Sequence, residues 1–100
     1  MSTLETIRFK LRDGVSESDF LRLNQKVENE YMRLRPGFQA RETALSADGE
    51  WMVSVHWATV EDADATIGVF FSAPETQGFL AAVDVSTVSS GRYQVTNGTE

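Results

Sequence analysis

Between Leu4 and Arg12 apolar and polar side chains alternate, with Ile7, Phe9 and Leu11 on one face and Thr6, Arg8, Lys10 and Arg12 on the other. A period of two is that of a β-strand with one face buried. Asp13-Gly14 turns the chain, and Ser16 with Asp19 three residues on forms a capping pair that starts a helix at Glu17. From Phe20 the apolar residues recur as Leu23, Val27, Tyr31 and Leu34, spaced by three or four so that they share one stripe of that helix. Pro36 must end it, because Arg35 is held extended before a proline, and Gly37 supplies a turn.

The same alphabet repeats in the second half. Phe38 to Leu45 reads as a second strand, without assigning Arg41 or Glu42 to a sheet face. Ser46 to Glu50 is a hairpin loop with an Asp48-Gly49 signal, and Trp51 to Ala58 a third strand with Trp51, Val53, Val55 and Trp57 on one side. Thr59 and Asp62 cap a helix from Val60 to about Phe71, its inner stripe Ala63, Ile67 and Phe70. Ser72-Ala73-Pro74-Glu75 opens a short helix carrying Phe79, Leu80 and Val83. A last strand runs from Val85 to Val95, and the chain frays beyond it, leaving one domain over 1–96 and a tail over 97–100.

The order β-α-β-β-α-β predicts an α+β, ferredoxin-like fold, a four-stranded antiparallel sheet with both helices on one face because right-handed crossovers place them there. Strict alternation assigns Ile7, Phe9, Leu11, Trp51, Val53, Val55, Trp57, Tyr93 and Val95 to the helix side. The far face then carries Arg8, Lys10, Arg12, Met52, Ser54, His56, Ser90 and Arg92. That mixed, basic face fits packing of the sheet against a second copy around a polar interior, or simple exposure to water.

Composition narrows the chemistry. Nine Lys and Arg against fifteen Asp and Glu give a net charge of −6, the wrong sign for covering a nucleic-acid backbone. With no Cys and a single His, thiolate catalysis, zinc clusters and disulfides are excluded, and any Ser-His-Asp triad would need His56. Carboxylates alone would hold Mg²⁺ or Ca²⁺ weakly, so no metal and no organic cofactor is expected. The acidic run from Glu61 to Asp64 lies at a helix start, where negative charge complements the macrodipole. No basic segment leads into an apolar run and no long apolar stretch occurs, so a cytoplasmic protein without membrane contact is expected. Asn97-Gly98-Thr99 matches a glycosylation sequon that has no use in that setting.

Certain segments resemble a known family. Arg35-Pro36-Gly37-Phe38, Asp48-Gly49 followed by Trp51, Val55-His56-Trp57-Ala58-Thr59-Val60-Glu61-Asp62-Ala63, and Phe71-Ser72-Ala73-Pro74 with Phe79 are similar to the antibiotic-biosynthesis-monooxygenase-like (ABM) proteins of the dimeric α+β barrel superfamily. The resemblance runs from about Ile7 to Val95. It implies a homodimer closed sheet to sheet through Arg8, Lys10, Arg12, His56 and Arg92, and a pocket in each subunit between sheet and helices. Activities in the superfamily range from cofactor-independent oxidation of polyphenolic polyketides to haem degradation. Trp57 matches a pocket tryptophan of several relatives. Haem-degrading members use an Asn on the first strand and a His on the second helix, both absent here, and the polyketide oxygenases use an Asn on the third strand where this chain has Val53.

The expected pocket is mostly apolar and lined by Phe9, Asn24, Tyr31, Trp57, Phe70 and Phe79, since Asn24 and Tyr31 border the stripe of the first helix and so many large rings cannot fill one layer without a gap. Trp51 and Trp57 also read as core residues. Three functions share this pocket. A cofactor-independent monooxygenase would hold an electron-rich aromatic or polyketide-like compound that forms a carbanion and reduces O₂ itself. A non-redox isomerase or cyclase would use His56, Tyr31 or a carboxylate as acid or base. A non-catalytic homodimer would bind a small aromatic or anionic metabolite.

Overall fold

Strand β1 (Thr3–Leu11) sits between two neighbours and so is buried along one face, with Thr3 and Phe9 inside and Arg8 and Lys10 exposed. The computed structural model describes residues 2–98. On one side β1 pairs antiparallel with β3 (Trp51–Trp57), on the other with β4 (Val83–Gln94), and β2 (Phe38–Leu45) completes the order β2-β3-β1-β4. Helices α1 (Glu17–Glu30), α2 (Val60–Phe70) and the short α3 (Gln77–Ala82) cover the sheet. The fold is α+β and ferredoxin-like. Of the expected tail, 97 and 98 have no regular structure, while 99 and 100 and the end of the sequon lie outside the described residues.

Both capping pairs form. Ser16 Oγ accepts from the Asp19 amide and Thr59 Oγ1 from the Asp62 amide, each at 3.1 Å. The core is aromatic where α1 meets the sheet: Phe20 lies 4.7 Å from Trp51, 5.4 Å from Phe79 and 5.7 Å from Phe9, ring centre to ring centre. Tilted and edge-on rings at such spacings add pair energy to the area they bury.

Three local expectations are corrected. The first helix ends before Pro36 as expected, but its α-helical stripe does not run on to Leu34: α1 stops at Glu30, Tyr31 leaves helical geometry at φ −128°, and a 3-10 turn spans Met32–Leu34. Tightening to three residues per turn rotates the stripe, so Met32 is buried and Leu34 is 66% exposed. On α2 the buried positions are Ala63 and Thr66 while Ile67 is partly exposed, because small side chains let the helix approach and the Tyr31 hydroxyl donates to Thr66 O at 2.9 Å.

The largest correction concerns β4, which starts at Val83 rather than Val85. Leu11 pairs with Val83 and Lys10 with Asp84, but Arg8 pairs with Ser89, so residues 85–88 bulge out opposite Phe9. The bulge is held locally: Asp84 Oδ1 accepts from Ser86 N and Oγ, and Thr87 Oγ1 donates to Asp84 O and accepts from Lys10 N at 2.9 Å. An odd number of extra residues exchanges the two faces. Ser90 and Arg92 therefore stand opposite Ile7 and Glu5 on the helix side, and Tyr93 stands opposite Leu4 on the far side. This overturns the placement of Arg92 and Ser90 on the dimer face and of Tyr93 on the helix face. Arg8, Lys10 and His56 lie on the far face, and Arg12, just past the strand, donates from Nε to Val83 O.

Candidate functional site

A second irregularity, in β2, sets the other wall of the site. Phe38 pairs with Trp57 and Ala40 with His56, so Gln39 is the extra residue, and Arg41, Thr43 and Leu45 then pair with Val55, Val53 and Trp51 on the helix side. Arg41 thereby points under α1. Its side chain is 3% exposed, and its guanidinium donates from Nη2 to Asn24 Oδ1 at 2.7 Å. The amide of Asn24 is fixed in turn by donating to Thr43 Oγ1 at 3.0 Å. Burial lowers the Arg41 pKa, partly offset by the Glu28 carboxylate on α1.

Between the sheet and the α2–α3 layer lies a cavity of about 520 Å³. Its floor is Ile7, Phe9, Val53, Val55 and Trp57. Its roof is Thr66, Ile67 and Phe70 from α2, Phe71 just past its end, and Phe79 and Leu80 from α3, and the β4 bulge adds Val85 and Val88 at an exposed mouth. Thr76, fully buried before α3, holds this roof by placing its hydroxyl 2.5 Å from Phe70 O and 2.9 Å from Ala73 O. Phe79 meets Phe9 and Phe70 edge-on at 5.8 and 6.2 Å.

Charge enters at two places. One is Arg41. The other is Glu5, whose Oε1 accepts from Trp57 Nε1 and whose Oε2 accepts from Arg92 Nη2, both at 2.8 Å. Arg92 also pairs through Nη1 with Asp64 of α2. The bonds to Glu5 and then Asp64 raise the Arg92 pKa. Glu5 is the single carboxylate among the lining residues. No group of three or more His, Cys, Asp or Glu side chains converges to hold a metal ion among the described residues.

Of the residues expected to line a pocket, Phe9, Trp57, Phe70 and Phe79 line this cavity together. Asn24 and Tyr31 do not: both are buried, but Asn24 is spent on Arg41 and Thr43, and the Tyr31 hydroxyl on Thr66 O. Burial raises the Tyr31 pKa, opposed by Arg35, whose guanidinium lies 4.6 Å from the ring centre. His56 is on the other side of the sheet. Neither His56 nor the Tyr31 hydroxyl is therefore presented to the cavity as an acid or base. Of the charged lining residues, Glu5 is not singled out from sequence, Arg41 is not assigned a sheet face there and Arg92 is expected on the other face; a charged residue at a helix-facing strand position, Glu5 between Thr3 and Ile7, is the one signal that could have found any of them.

No protein-family model matches the chain, and no curated protein matches it in sequence. Solved structures match its fold. SnoaB, a cofactor-independent oxygenase from Streptomyces nogalater, superposes with a TM-score of 0.78 over 97% of this chain and 95% of its own at 12% identity. Rv0793 from Mycobacterium tuberculosis covers all of both chains at a TM-score of 0.72 and 15% identity. A candidate antibiotic biosynthesis monooxygenase from Chloroflexus aurantiacus covers 100% of this chain and 98% of its own at 0.67 and 13%. The chain has the ABM-like fold that the sequence segments resemble.

Proposed function

We propose that this ABM-like chain is a cofactor-independent monooxygenase acting on a small aromatic or polyketide-like compound held in the cavity. The observation that carries the reading is the cavity: about 520 Å³, within the range of small-molecule sites, walled by aromatic and aliphatic groups with few polar ones. The likeness to SnoaB supports the chemistry by fold alone. In this reading a ring-activated CH₂ loses a proton to Glu5, which Trp57 and Arg92 hold in place. The resulting carbanion gives an electron to O₂, the radical and superoxide join as a peroxide anion that takes the proton back from Glu5, and loss of water from the hydroperoxide leaves a carbonyl. One oxygen atom of O₂ ends in the product and the other, with both hydrogens, in water. The apolar walls keep bulk water from quenching the carbanion.

The test is aerobic incubation with an anthrone under ¹⁸O₂ and no added cofactor. The reading expects a quinone with the label in its new carbonyl, formed faster than in protein-free buffer and slowed in Glu5→Gln. A rate equal to buffer would overturn it. Exchange of the CH₂ hydrogens with solvent without oxygen uptake would instead point to an isomerase or cyclase. The far sheet face, with Arg8, Lys10 and His56, is proposed to pack on a second copy to make the homodimer.

A further inference from the structure

We propose that Arg41 is the anion-recognition group of the cavity, so that the compound bound there carries a negatively charged oxygen conjugated to its ring system, a carboxylate or an ionised phenol or enol. This rests on the preceding reading only in taking the cavity as the binding site. Arg41 lines that cavity with a side chain only 3% exposed. A guanidinium keeps its proton in any protein environment, so the charge must be matched rather than discharged. The matching is incomplete. Nη2 is satisfied by Asn24, but Nη1 is buried without a hydrogen-bond partner, its nearest carboxylate oxygen, Glu28 Oε1, lying at 3.6 Å. Glu28 itself is partly in water, 25% exposed, and offsets the buried charge only in part.

The arrangement also fixes orientation. Thr43 holds the Asn24 amide and Asn24 holds one arm of the fork, while Phe79, a lining ring, lies 6.0 Å from the guanidinium carbon. An aromatic ligand packed on Phe79 would bring an anionic substituent toward a guanidinium whose Nη1 is otherwise held only by the longer 3.6 Å ion pair with Glu28. A planar fork with one arm lacking a hydrogen bond favours a charged oxygen over a neutral one. This assigns Asn24 a role as a positioning residue for Arg41 rather than as a wall of the cavity.

The test compares dissociation constants of 2-naphthoate and its neutral analogue 2-naphthalenemethanol, followed by tryptophan fluorescence, and of 4-nitrophenol in its neutral and ionised forms. The wild type is expected to prefer the anion by about tenfold or more in at least one pair. Preference for naphthoate alone names a carboxylate, and preference for the nitrophenolate names an ionised phenol or enol. Arg41→Gln is expected to remove the preference. Arg41→Lys, which keeps charge without the fork, is expected to reduce it and secures the result if the glutamine variant does not fold. Equal binding of anion and neutral analogue in the wild type overturns the proposal, as does a preference undiminished in Arg41→Lys or lost only in Arg92→Gln. Anion preference without oxygen uptake on anthrones would dismiss the oxygenase and keep Arg41 as the anion site; labelled quinone without anion preference would do the reverse.

Discussion

Gly37 stands at φ +77°, and a Cβ built there would fall 2.0 Å from Asp62 Oδ2, the carboxylate that also accepts from Thr59 Oγ1. Only glycine meets both demands, since a side chain would be strained by the backbone and would displace the cap of α2. Gly37→Ala is expected to lower stability by about 2 kcal/mol or more in denaturant titration. Tyr31 gives a pH test. Its folded pKa is raised, so below the unfolded value of about 10 both states hold the phenolic proton and the contribution is complete. Above that value the unfolded chain releases the proton first, and stability falls as pH rises through the folded pKa. Urea midpoints should drop more steeply above pH about 10 in the wild type than in Tyr31→Phe. At this scale Phe9, Trp57, Phe70 and Phe79 all border the cavity, because large apolar groups at core-facing positions have few alternatives. Sequence reasoning misjudges Asn24 and Tyr31 because burial says nothing about which neighbour a polar tip finds.

Elements were legible wherever period and punctuation agreed. The alternation of β1 and β3, the two Thr or Ser caps and the Asp48-Gly49 hairpin all form. Irregularities were not legible. The bulge of β4 rests on the hydroxyls and carboxylate of Asp84, Ser86 and Thr87, and that of β2 on one extra residue at Gln39; neither disturbs hydrophobic spacing. Each of them moves an arginine, Arg92 and Arg41, onto the cavity side. Thr87→Val is expected to cost about 1 kcal/mol, because it removes the acceptor of the Lys10 amide and the donor to Asp84 O. Faster amide exchange across Ser89–Tyr93 than across β3 would accompany it, and unchanged exchange would mean the ladder, not Thr87, holds the bulge.

At the scale of the whole molecule, one face of the sheet builds the core and the cavity, and the other presents Arg8, Met52, His56 and Tyr93. Met52 is 40% and Tyr93 59% exposed on that face. Light scattering at micromolar concentration is expected to give twice 11.1 kDa; the monomer mass would dismiss the sheet-to-sheet dimer. The bulge between Asp84 and Ser89 has its consequence here as well. Its ends are pinned by ladder pairs to Lys10 and Arg8 while its middle touches the mouth, so its length is decoupled from the sheet. Residues can be gained or lost there as slack in a rope is taken up between two fixed knots. A change in length between Val85 and Val88 would therefore widen or narrow the entrance of the cavity while the ladder pairs on either side stay in place.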